Sequence, residues 1–357
     1  MMFSTSFSKC FIGISILSSL LSPVLSAANT SPNSTSDPRI IYYHGTLTER
    51  GKHISLLPLI NNSSDIVVSH LILASLQVWP PGNEFEGLNV WTGGWDTPIN
   101  ASNLTEFWSD KAQLQKNGIK VIGSLLGSYP SMQLANESTW EQEYKYLHDG
   151  LKTHDFDGID LDIEDANPQR TPRSITLNNT IRLIDSIRKD FGPDFLITMS
   201  PVASCLSSKC SSQGCISGFD YKALEQQRGK DIAFYNAQFY NGFGDANTPQ
   251  CYEDIVSNGF APEKVVMGVP SSPSSTECSG WVPWDQLQKT LKALNTKYLA
   301  FGGVFGWEYF DSEPGGQTAP WEWSQLMAQW LGVSNATNVK PRKETACKSK
   351  NAVKFRA

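Results

Sequence analysis

The chain is poor in histidine, in closely spaced cysteine pairs and in long apolar runs, and each shortage removes a class of protein. Past the first 28 residues no stretch is unbroken enough to make the roughly 20 apolar residues of a membrane helix. The five histidines, His44, His53, His70, His148 and His154, are scattered, and no cysteines have C-x2-C spacing, so neither a zinc site nor any other metal or cofactor is called for. No G-x-G-x-x-G turn follows the first strand-like run, which disfavours an open dinucleotide-binding sheet. Positive charge is scarce outside the C-terminus. The net charge over 357 residues is -6, yet the last 20 residues hold seven lysines and arginines against Glu344. Setting that +6 aside leaves -12 for residues 1–337, which argues against nucleic acid as the main partner. The basic tail reads as a solvated run, with contact to a cell wall or membrane surface as the alternative.

Residues 1–28 combine Lys9, an apolar run broken at Pro23, and small residues at Ser26, Ala27 and Ala28. That is the pattern of a secretory signal peptide rather than of an anchor, so a secreted, extracellular protein is expected. Residues 29–37 are a polar, turn-rich linker, 38–333 one large domain, and 334–357 a basic tail. Losing the leader removes Cys10 and leaves Cys205, Cys210, Cys215, Cys251, Cys278 and Cys347, an even set that implies disulfides. Cys251 with Cys278 is the expected pair, because both fall after consecutive strand-like runs on one rim. Nine N-x-S/T sequons, at Asn29, Asn33, Asn61, Asn62, Asn100, Asn103, Asn136, Asn178 and Asn335, fit a glycosylated chain.

Runs rich in β-branched and aromatic residues recur at 39–45, 70–78, 119–128, 158–164, 195–202, 232–240, 264–270 and 301–309. Helical patterns separate several of them. Residues 103–118 begin at Asn103, the expected cap, and end at Gly118; residues 177–192 repeat Ile181, Ile184 and Ile187 and end at Gly192. Eight strands alternating with helices predict an α/β protein, a (β/α)8 barrel in one domain with long βα loops. The loops after the strands then share the face where active sites form. One of them, residues 79–98, carries Trp79, Trp91 and Trp95, which serve either sugar stacking or a small local core.

The fourth run, GIDLDIE, alternates without exception. Ile159, Leu161 and Ile163 share one face of a strand, Asp160, Asp162 and Glu164 the other. With the aliphatic face against outer helices, three carboxylates about 6.6–6.8 Å apart point into the barrel. Their mutual repulsion raises at least one pKa and favours a shared proton, which is what a general acid needs. Glu164, nearest the open end, is the expected donor. A calcium loop also spaces acids by two, but it requires an irregular turn with glycine at its sixth position; a plain solvated strand needs no apolar opposite face.

Asp157-Gly158-Ile159-Asp160-Leu161-Asp162-Ile163-Glu164 resembles the D-G-x-D-x-D-x-E signature of family 18 glycoside hydrolases. NAQFYNGFG resembles the family's sixth strand, with Tyr240 in the substrate-contacting position, and GGVFGWEYF its eighth, whose tryptophan, here Trp307, floors the sugar subsite. From about residue 40 to 332 the chain is similar to secreted endo-β-N-acetylglucosaminidases of filamentous fungi. It departs from the S-x-G-G of many family chitinases at Ser124-Leu125-Leu126-Gly127. The resemblance implies a substrate-assisted, retaining reaction: Glu164 as acid, Asp162 orienting the 2-acetamido group, Asp160 exchanging a proton with Asp162, and Tyr240 holding the acetamido oxygen. Counting back from Tyr240 puts Gln238 and Asn236 on the same inward face, as substrate contacts or satisfied core amides; Tyr43 closes the candidate set. N-glycans are the expected substrate, chitin oligosaccharides the alternative, and a non-cutting lectin the third reading. A monomer is expected.

Overall fold

The computed structural model describes residues 37–61, 66–92, 95–126, 136–164, 176–275 and 279–333. The leader, the linker up to Ser36, the basic tail, Cys278, Cys347, and the sequons at Asn29, Asn33, Asn62 and Asn335 lie outside them.

Eight parallel strands close into a barrel: β1 (Arg39–His44), β2 (His70–Trp79), β3 (Lys120–Leu126), β4 (Gly158–Asp162), β5 (Leu196–Met199), β6 (Phe234–Gln238), β7 (Val265–Pro270) and β8 (Gly303–Trp307). Closure is between β1 and β8, with Ile40 opposite Val304, while β1 also pairs β2, with Ile41 opposite His70. Each expected strand-like run holds its strand, trimmed by up to three residues at an end, except that β2 runs one residue past 70–78 to Trp79. A main helix follows each strand: α1 (Pro58–Asn61, a single turn), α2 (Thr105–Lys116), α3 (Trp140–Thr153), α4 (Leu177–Phe191), α5 (Tyr221–Arg228), α6 (Gln250–Ser257), α7 (Trp284–Lys297) and α8 (Glu322–Leu331), with a further single turn, Ala203–Leu206, between β5 and α5. The fold is thus a (β/α)8 barrel. Among the described residues no helix is long and apolar enough to cross a membrane.

Alternation divides the core in two. Ile159, Leu161 and Ile163 join the large cluster between strands and helices, whereas Ile41, Tyr43, Ile72, Ala74, Phe234 and Phe305 pack inside the barrel. Each buried isoleucine or leucine of β4 contributes about 2 kcal/mol of transfer free energy, so the strand's register resists a slip that would turn its acids outward. Gly158, the glycine of the acidic motif, has a steric reason: a Cβ there would lie 2.5 Å from the Leu196 carbonyl oxygen on β5.

Local expectations needed two corrections. Thr176 and Asn179 form a capping box that starts α4, but Asn103 caps nothing: it lies in a 3-10 turn, Ser102–Leu104, that precedes α2. The disulfides differ as well. Cys205 pairs with Cys215, and Cys251, at the start of α6, pairs with Cys210 rather than Cys278. The loop after β5 folds back far enough to reach α6, a long-range approach that strand order alone does not reveal. Of the described sequons, Asn61, Asn100, Asn103 and Asn178 are exposed and Asn136 is half-buried.

Residues 79–98 build an antiparallel ribbon on β2, with strands Gly87–Trp91 and Asp96–Pro98. Its tryptophans divide between the two expected uses. Trp79 is half-buried, packs on Phe85 and donates to Asp96, as in a local core; Trp91 and Trp95 are 38% and 77% exposed. Leu88 and Ile99 fasten the ribbon to α3 at Gly150, where a Cβ would lie 2.2 Å from Leu88 Cδ2.

Candidate active site

Asp160 occupies the centre of the barrel without solvent exposure. Its carboxylate accepts hydrogen bonds from four strands: Tyr43 Oη at 2.8 Å, Ser124 Oγ at 3.2 Å, Thr198 Oγ1 at 2.6 Å and Asn236 Nδ2 at 3.1 Å. Burial raises its pKa, and the bonds from Thr198, Tyr43 and Asn236 pull it partly back. Asp162, last on β4, is held well above the carboxylate range, first by burial and then by the charges of Glu164 and Asp160. Among the described residues its Oδ1, shielded from solvent, has no hydrogen-bond partner.

Glu164 lies two residues past the end of β4 and keeps the strand's inward phase. Burial raises its pKa, opposed by Gln238 Nε2, which donates to Oε1 at 3.0 Å. Gln238 is itself fixed by donating to the Ser200 carbonyl at 2.8 Å. Asp162 and Glu164 therefore share a buried cavity edge where two charges are costlier than one, and the pair retains a proton into the pH range where isolated carboxyls have lost theirs. Such an arrangement can deliver a proton to a bound oxygen.

The cavity over these acids measures about 210 Å³ and is bordered by Tyr43, Asp162, Glu164, Gln238, Tyr240 and Trp307, with Ser200, Asn241 and Phe305. Tyr240 follows β6 by two residues; burial and then the charges of Asp162, Glu164 and Asp160 keep its hydroxyl protonated far above neutrality. Trp307 ends β8, and its ring packs on Tyr43, centroids 5.9 Å apart. All eight candidate side chains thus converge, but in two layers. Asp160 and Asn236 are sealed beneath the cavity; the other six border it.

Several residues of the site escaped sequence reasoning. Thr198 was accessible to it: on β5 it is the polar residue between outward-facing Ile197 and Met199. Glu308 was not, since its partners are distant. Its half-buried carboxylate accepts from Gly45 N and Thr46 N at 2.7 Å each and from Thr46 Oγ1 at 2.6 Å, which ties the segment after Trp307 to the loop after β1. Burial raises the Glu308 pKa against the pull of those bonds. Asp157, out of phase with the other acids, accepts from Lys120 Nζ at 2.9 Å, Gln115 Nε2 at 2.8 Å and Val121 N at 2.8 Å, locking the base of β4 to β3 and α2.

A second compartment, about 460 Å³, adjoins the first across Tyr43, Asp162 and Trp307. Leu126, Gln77, Ser75 and Trp91 line it, so the inserted ribbon contributes a wall.

No family model matches the chain. Its backbone is similar to that of a fungal endo-β-N-acetylglucosaminidase from glycosyl hydrolase family 18, at 36% identity and a TM-score of 0.72, over 82% of this chain and 98% of that one. It is equally similar in sequence, at 36%, to the chitinase ChiC from Aspergillus fumigatus, with a TM-score of 0.67 over 82% and 99% of the two chains. Chitinase Chi52 of Paenibacillus xylanexedens is 25% identical over 242 residues, which are 58% of this chain but only 46% of that protein. Identity at this level along nearly the whole length of the two fungal proteins, on one barrel architecture, makes the chain a member of glycoside hydrolase family 18.

Proposed function

We propose that this protein is a secreted endo-β-N-acetylglucosaminidase that cuts between the two core N-acetylglucosamines of high-mannose N-glycans. The observation that carries the reading is Leu126. At the position where many family chitinases have glycine, it adds an apolar wall to the second compartment. A chitin chain would bring a second 2-acetamido group there, and a polar group desolvated against carbon costs about 1–3 kcal/mol unless it finds a partner.

The reaction follows from the layers of the site. Glu164, whose pKa burial raises, donates its proton to the leaving glycosidic oxygen. The 2-acetamido oxygen of the reacting sugar attacks C1 from the opposite face and closes an oxazolinium ring, so no second carboxylate acts as nucleophile. Asp162 accepts the acetamido N–H through Oδ1, which has no partner among the described residues, and offsets the ring's positive charge. Asp160, in its cage of donors, takes up or returns the proton that Asp162 sheds, and Tyr240 holds the acetamido oxygen in line. Trp307 floors the sugar, with Tyr43, Gln238 and Asn236 as supports. Water then opens the oxazolinium, with Glu164 now acting as base.

The leader, the sequons and the paired cysteines support an extracellular setting. The second reading, a chitinase with the same machinery, is supported by the equal likeness to the Aspergillus enzyme. The presence of Glu164 counts against a lectin. Incubation with ribonuclease B and with chitin oligomers, followed by mass spectrometry, tests the choice. Glycan release leaving one N-acetylglucosamine on asparagine is expected; shortened chitin beside intact glycoprotein would overturn it.

A further inference from the structure

The second compartment has a direction relative to the bond that breaks. It shares Tyr43, Asp162 and Trp307 with the reaction cavity, but Glu164 borders only the first. A general acid must lie beside the departing oxygen, so the leaving half of the substrate lies on the Glu164 side. What enters the second compartment is the part that stays attached to the reacting sugar.

Its size and chemistry describe that part. At about 460 Å³ it has roughly twice the volume of the reaction cavity, 210 Å³, more than one unbranched ring calls for. Carbon dominates its surface through Leu126, Trp91 and Trp307. Glu308 also reaches it, but its carboxylate already accepts three hydrogen bonds from Gly45 and Thr46. Beside Tyr43, Thr46 and Asp162 at the shared edge, Ser75 and Gln77 of β2 supply polar groups along the wall that the ribbon extends. Trp91 is 38% exposed, although a core role would have buried it. A flat aromatic wall, few polar groups and ample volume suit a branched hexose without a 2-acetamido group.

We infer that Trp91 and Gln77 form a selectivity site for the branched hexose joined to the reacting N-acetylglucosamine, Trp91 stacking on its ring and Gln77 hydrogen-bonding its hydroxyls. The inference rests on the endoglycosidase reading and adds to it the residues that choose the glycan.

The test compares two substrates on one asparagine-linked peptide. One carries a high-mannose glycan; the other carries diacetylchitobiose alone and leaves the compartment empty. The readout is the ratio of their kcat/KM values in the wild type and in Trp91→Ala, Trp91→Phe and Gln77→Ala. The ratio should fall about tenfold in Trp91→Ala, the loss of one ring's contact, and recover in large part in Trp91→Phe. Gln77→Ala should lower it severalfold. Because Trp91 is exposed, its truncation leaves the core intact, and a thermal melt checks each variant. A ratio within twofold of wild type in both alanine variants, with the wild type still cutting the glycan, overturns this inference and leaves the endoglycosidase reading standing. A wild type that cuts chitin oligomers but neither peptide overturns both.

Discussion

The Tyr43 hydroxyl donates to Asp160 Oδ2 at 2.8 Å, which binds the first strand of the barrel to the buried carboxylate of the fourth. A hydrogen bond to an ionised group stabilises it by about 1.5–3 kcal/mol, equivalent to one or two pK units. In Tyr43→Phe the Asp160 pKa, already raised by burial, should therefore rise further. The acid limb of the kcat/KM profile is expected to move toward higher pH. An unmoved limb would show that Asp160 does not titrate in the reaction.

The acid itself gives a sharper contrast. Glu164→Gln keeps the side chain's shape and its neighbour Gln238 but cannot donate an acidic proton. Hydrolysis should drop by about 10²–10⁴-fold with the melting temperature nearly unchanged. Asp162→Asn should also hydrolyse slowly, yet still process a preformed sugar oxazoline, for which the cyclisation step is already complete. Equal losses on glycan and oxazoline would remove the orienting role given to Asp162.

Acid stability should depend on two imidazoles, His44 buried and His70 half-buried. Burial pushes His44 down to about 3, with the nearby His53 adding to the effect and Asp110 opposing it. His70 is pushed to about 3 by burial, then by Arg39, with Lys120 adding a little against Asp157. Unfolding frees each imidazole to bind a proton near pH 6.5, so the folded state retains its full advantage above that pH and loses it progressively as the pH falls toward 3. The loss approaches about 5 kcal/mol for His44 at the lower end and is smaller for the half-buried His70. His44 stacks on Phe107 and meets Tyr309 edge-on, so His44→Leu should keep much of the packing. Urea titrations from pH 7 to 4 should show a shallower decline for this variant; parallel curves would refute the claim.

The Cys210–Cys251 bridge joins residues 41 apart, and its removal releases a long loop in the unfolded chain. Cys210→Ser is expected to cost about 2–4 kcal/mol. A non-reduced peptide map should recover 205 with 215 and 210 with 251. Finding 251 with 278 would restore the pairing that loop position suggests.

Some of this was legible in the sequence because it depends on period. The eight strands, the split of Ile159, Leu161 and Ile163 from Asp160, Asp162 and Glu164, and the glycine ends of two helical patterns follow from side-chain direction and backbone freedom. What stayed hidden depends on closure. Thr198 and Tyr43 could be placed on inward faces, but their bonds to Asp160, like that of Ser124, exist only because β1, β3 and β5 converge inside the barrel, and Glu308 meets Thr46 across more than 250 residues. Cys210 belongs to Cys251 for the same reason: the route of a loop in space is not a local property. Asn103 failed as a cap because a 3-10 turn intervenes, a choice between two tight geometries that composition does not resolve.

The ribbon that holds Trp91 is fastened at Gly150 on α3, outside the ring of strands, by Leu88 and Ile99. An appendage with its own attachment can be lengthened, shortened or recut without shifting the register of β4. On the reading proposed above, what the protein reaches can then change through the ribbon while the carboxylates of β4 stay as they are.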